Sequence, residues 1–133
     1  MNKETILHIC DVMLVHAKIT ANIRYEKVLN RVYFSVNDNL TVVAGRAYVQ
    51  GSRYGRVEIS LPIFMRTPCM AELVETILHE MAHIMEPDDN HGMKWMLATR
   101  SIGGTGARCH SMIKGYTKKE KEKIAARSIL QSL

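Results

Sequence analysis

The sequence has no CxxC pair, and its three cysteines, Cys10, Cys69 and Cys109, are odd in number and widely spaced. That spacing excludes a disulfide framework and a cysteine zinc ribbon, and the thiols read as reduced, small apolar groups in a cytosol-like compartment. Long hydrophobic runs are missing too. No window approaches eighteen consecutive apolar residues, and the apolar stretch of MNKETILHICDVMLVHAK carries His, Asp and Lys. Neither a signal peptide nor a membrane span fits, so the expectation is a soluble chain, cytoplasmic or nucleoid-associated and not secreted. Internal repeats, low-complexity tracts and domain linkers are also absent from the sequence, and 133 residues with 47% hydrophobic content are the size of one domain with a real core.

Charge is unevenly spread. Residues 100 to 133 hold eight basic against two acidic side chains, a balance of +6 within a total of +5, and leave the first 99 residues near neutrality at −1. A basic C-terminal third can hold phosphates through counterion release, so nucleic acid is a candidate partner beside the plainer reading of a solvated surface helix.

Hydrophobic periodicity gives an α+β order. Ile6, Ile9, Cys10, Met13 and Ala17 form one stripe of an amphipathic helix over 4–20. From 31 to 60 the texture becomes β-rich, RVYFSV, TVVAGRAYV and GRVEIS, interrupted by NDN and QGSRY, which predicts a largely antiparallel meander of three strands. Helix returns in LPIFMRTPCMAELVETILHEMAHIME, with Thr67 as N-cap, Pro68 in the first turn of a helix over 68–86, and Pro87 pushing Glu86 out of the α region. A further helix is predicted over 91–101 and a basic one from about Thr117, within a tail spanning 113–133.

The chemistry lies in HEMAHIMEPDDNHG, residues 79 to 92. His79 and His83 stand at i and i+4, offset by about 40° around a helix and about 6 Å along it, so both imidazoles reach one ion. Glu80, one step round from His79, is placed beside a metal's water as a proton acceptor rather than as a ligand. HExxH also arises by accident in ordinary helices. Here Leu73, Val74, Ile77, Leu78, Met81, Ala82, Ile84 and Met85 cover most of the circumference, and two histidines and a carboxylate inside such a helix are costly to desolvate without a partner such as a metal. The extended pattern HExxHxxGxxH fails, with Glu86 at the glycine position and Asp89 at that of the third histidine. His91 remains as third ligand. Asp88 and Asp89 compete with it, but read better as turn or cap residues.

The run LVETILHEMAHIMEPDDNHGMKW resembles the SprT-like (Spartan-type) metallopeptidases, in which an HExxH helix is followed by a short loop and an HGxxW or HGxxF segment. AGRAYV followed by GRVEISLPIF is similar to the family's strand pair, and GARCHS to a bacterial variant of the segment further on; the likeness covers about residues 25 to 112. It implies a minimal zincin-like fold, with His79, His83 and His91 as Zn2+ ligands, Glu80 as general base and Trp95 as a packing residue. It further implies metal-assisted hydrolysis of protein substrates laid along a sheet edge between Val42 and Ser60, with low sequence preference. Many members continue into a zinc ribbon or DNA-binding segments, whereas this sequence has a short basic stretch. DNA affinity would then come from that tail or from Arg46, Arg53 and Arg56. His110 matches a family position by type only, with a structural hydrogen-bonding role as the plainer reading. His8 and His16 read as structural, and Tyr48 and Tyr54 as cleft or sheet-packing residues. Two other classes remain: a nucleic-acid-binding module with a structural zinc, and a hydrolase directed at one specific partner.

Overall fold

A computed structural model of the chain describes residues 1–50 and 54–106; Arg53, the Tyr54 side chain, Cys109, His110 and the basic stretch with its predicted helix lie outside the described residues. The chain opens on α1 (Lys3–Thr20), capped by the Asn2 side chain, which accepts from the Thr5 amide at 2.8 Å. The predicted stripe of Ile6, Ile9, Cys10, Met13 and Ala17 is buried in full, joined by His16. A 3-10 turn (Ile23–Tyr25) and the one-turn helix α2 (Glu26–Leu29) lead into the sheet, a segment that periodicity did not reveal because it is too short to show one.

Three strands follow, β1 (Val32–Asn37), β2 (Gly45–Gln50) and β3 (Tyr54–Ser60), in the order β1-β3-β2. The expected antiparallel meander is therefore corrected to a mixed sheet: β1 pairs with β3 in parallel, Phe34 opposite Val57, while β2 pairs with β3 antiparallel, Arg46 opposite Glu58. The reason lies in residues 38–44, which were expected to begin a strand with Thr41. Leu40 is buried and its carbonyl accepts from the Ser60 hydroxyl, so this connection runs over the end of β3 and delivers β2 to its far side. Val57 and Ile59 point into the core, and Arg56 and Glu58 to the opposite face, as alternation requires.

Helix then returns in two pieces rather than one. Ser60 caps α3 (Leu61–Arg66), its hydroxyl accepting from the Ile63 amide at 3.1 Å with a proline in the first turn. Thr67, expected to start the long helix, instead closes α3, and α4 (Met70–Met85) starts after Cys69. Pro68 explains the break, since it disfavours α conformation at the residue before it. Pro87 acts likewise on Glu86, which ends α4 at φ −130° and ψ 72°. Buried nearly all round, α4 packs on β2, β3, α1 and α5 (Met93–Ser101). Among the described residues, no helix is long and apolar enough to cross a membrane.

Candidate metal centre

Two of the three histidines come from one face of α4. The third is not on a helix: His91, expected to open the 91–101 helix, lies two residues before α5 with φ 59°, a left-handed conformation uncommon for residues other than glycine. Asp89 holds this geometry. Its Oδ2 accepts from the Trp95 amide at 2.9 Å, making it a cap of α5, the turn-or-cap role read above. Gly92 gives the carboxylate room, since a Cβ there would fall 2.1 Å from Asp89 Oδ1.

The loop brings the Nε2 atoms of His79, His83 and His91 together at 3.3, 3.0 and 3.2 Å from one another. Tetrahedral ligands at about 2.05 Å from a zinc ion are separated by about 3.3 Å, so the triangle has the size of a metal ligand set. Imidazole lone pairs aimed at one point repel unless a cation or proton lies between them, and among the described residues these three form the group able to hold a metal ion. Trp95 floors the site. Its ring centroid lies 4.7, 5.4 and 4.7 Å from those of His79, His83 and His91, and its Nε1 donates to the His79 carbonyl at 3.3 Å.

Burial acts on the flanking groups in opposite directions. It pushes the Glu80 carboxyl up to about 7. Burial, with the neighbouring His91 adding to it, pushes His83 down to about 4, which keeps that imidazole in the neutral form that ligates metals. Glu80 Oε1 lies 3.8 Å from His79 Nε2, outside the triangle.

Glu80 and His83 open into a cleft of roughly 500 Å³ along β2, whose other wall includes Pro87 and Asn90. The Ser60 amide donates to Ala44 O at 2.9 Å; by antiparallel alternation Gly45, Ala47 and Val49 then turn their N–H and C=O groups away from β3, into this cleft. Sequence reasoning missed Gly45. A Cβ there would lie 2.8 Å from Thr76 Cγ2 and 3.4 Å from Glu80 Cγ, so glycine lets the strand approach the helix beside the carboxylate. The signal was the glycine inside the β-rich run TVVAGRAYV.

Tyr48 also lines the cleft. Arg46 and Arg56, read as possible phosphate contacts, both meet Glu58, at 2.9 and 3.9 Å, with guanidinium carbons 5.7 and 4.5 Å from the Tyr48 ring centroid. Burial, which would raise the Glu58 carboxyl, is outweighed by Arg46, Asn37 and Arg56, which hold it below its ordinary value. His8 is exposed and His16 buried, and both lie away from the triangle on α1.

The pattern of the SprT-like family matches residues 14–116, and the chain belongs to that family. No curated protein and no solved structure matches it.

Proposed function

We propose that this chain is a zinc-dependent endopeptidase of zincin-like architecture, hydrolysing peptide bonds with low sequence preference and acting on DNA-bound proteins. One observation carries the reading: a buried carboxyl, Glu80, lies beside a three-histidine triangle, and Glu80 and the triangle's His83 line a cleft along β2, the edge strand of the sheet among the described residues. Three imidazoles without thiolate suit zinc in a catalytic setting, where a fourth position stays open. Zinc bound there supplies Lewis acidity toward the scissile carbonyl and lowers the pKa of water.

The chain's own residues do the rest. With its pKa pushed to about 7, Glu80 is poised to take a proton from the attacking water and return it to the leaving amine. The outward N–H and C=O groups of Gly45, Ala47 and Val49 receive the substrate main chain as an added strand, which reads backbone rather than side chains. Sharp preference for one peptide bond in a panel of unfolded proteins would contradict this. The basic residues from Arg100 to Arg127 supply the attraction to phosphate that brings DNA-bound proteins to the cleft.

Gel-based cleavage of a basic DNA-binding protein, with and without single-stranded DNA, tests the substrate class. The expected result is cleavage that needs Glu80, rises with DNA and loses that stimulation as salt increases. Glu80-dependent cleavage indifferent to DNA and moderate salt would point instead to a specific protein partner.

A further inference from the structure

His79 and His83 are fixed by α4, so His91 is the ligand whose position depends on a loop. The loop leaves α4 at Glu86 and advances by two turns: the Asp89 amide donates to Glu86 O at 3.3 Å, and the Gly92 amide to Asp89 O at 3.5 Å. Pro87, Asp88 and Asn90 are exposed, so little apolar burial confines the segment. Its far end is held by the Asp89 cap on α5. Its near end is held by Glu86, and Glu86 is held from a distant part of the chain.

The Tyr25 hydroxyl donates to Glu86 Oε1 at 2.6 Å across a separation of 61 residues. Arg24 Nη2 donates to the same hydroxyl at 2.6 Å and lies 3.5 Å from Glu86 Oε1, with its guanidinium carbon 4.7 Å from the Tyr25 ring centroid. Tyr25 is 6% exposed, and a phenol donating to a carboxylate in such a place makes one of the stronger directional contacts available to a side chain. Burial and the Glu86 carboxylate raise the Tyr25 hydroxyl above its ordinary value, so it stays protonated and keeps donating. His91 in turn sits at φ 59°, a conformation that costs free energy and persists only where surrounding contacts over-determine it.

We infer that Arg24, Tyr25 and Glu86 form a tether that sets the position of His91, which makes Tyr25 a positioning residue for the metal. The inference rests on the metal-binding part of the proposed function and is independent of peptide hydrolysis.

Zinc affinity measured by competition with a chromophoric chelator tests it without reading activity. Tyr25→Phe is expected to weaken Zn2+ binding on the order of 10-fold, at the low end for residues outside the ligand set. In a His91→Ala background the same substitution should change zinc affinity little, because the residue it positions is gone. Unchanged affinity in Tyr25→Phe would overturn the tether, as would a loss carried undiminished into the His91→Ala background, since a merely structural role acts equally in both. Should Tyr25→Phe fail to fold, Arg24→Gln, at a side chain 66% exposed, gives a smaller loss in the same direction, and no loss there also overturns the inference. Cleavage assays fail or succeed separately, so the two readings are distinguishable.

Discussion

Burial makes charge expensive throughout α4, and the sign of each response identifies the group. Glu80 rises and His83 falls, both toward neutrality. Glu75 follows the same rule away from the triangle: burial raises its carboxyl, and donation from the Thr105 amide at 2.7 Å and from the Thr105 hydroxyl only partly offsets this. A folded-state value above the unfolded one means the native chain holds the extra proton, so stability is lost as pH rises through the window just above the ordinary carboxylate value. Glu75→Gln should therefore gain on wild type as pH rises above the ordinary carboxylate value, in urea-unfolding midpoints, and a constant difference would refute the assignment. At this scale the pairing of His79 and His83 on one face of α4 was legible because i and i+4 spacing is a property of the string. Tyr25 and Glu86 were not, since a contact spanning 61 residues leaves no local period.

Between elements, the close approach of β2 to α4 governs the cleft. Gly45→Ala places a methyl group 2.8 Å from Thr76 Cγ2 and 3.1 Å from Glu58 O. The expected cost is about 1–3 kcal/mol of stability, read by urea unfolding, together with loss of cleavage as the strand edge shifts from Glu80. Asp89→Ala removes the cap of α5 and should cost about 1 kcal/mol by the same measurement. Here the sequence was half informative. The α1 stripe and the buried circumference of α4 were readable from apolar periodicity. The parallel pairing of β1 with β3 was not, because it is decided by where a seven-residue connection with buried Leu40 crosses the sheet, and strand texture carries no information on order. Pro68 marked a break between α3 and α4, yet it reads equally as a first-turn proline.

Across the whole molecule, the three histidines able to hold a metal ion come from α4 and from the loop before α5, so an ion there would tie the two together. A ligand bound only by the folded state stabilises it by mass action, by about 4 kcal/mol at a free concentration 1,000 times its Kd. Chelation should therefore lower the melting temperature reversibly, zinc should restore it, and His83→Ala should abolish the difference between the two states. The measurement that bears most directly on catalysis is the cleavage rate of an unfolded protein by zinc-loaded wild type and by Glu80→Gln, with zinc content determined in the same samples. The expected result is equal zinc and a rate lower in Glu80→Gln by about 10²- to 10⁴-fold, the contribution of a positioned general base. Equal zinc with both proteins equally inert would contradict a catalytic site and make the three histidines the ligands of a structural metal.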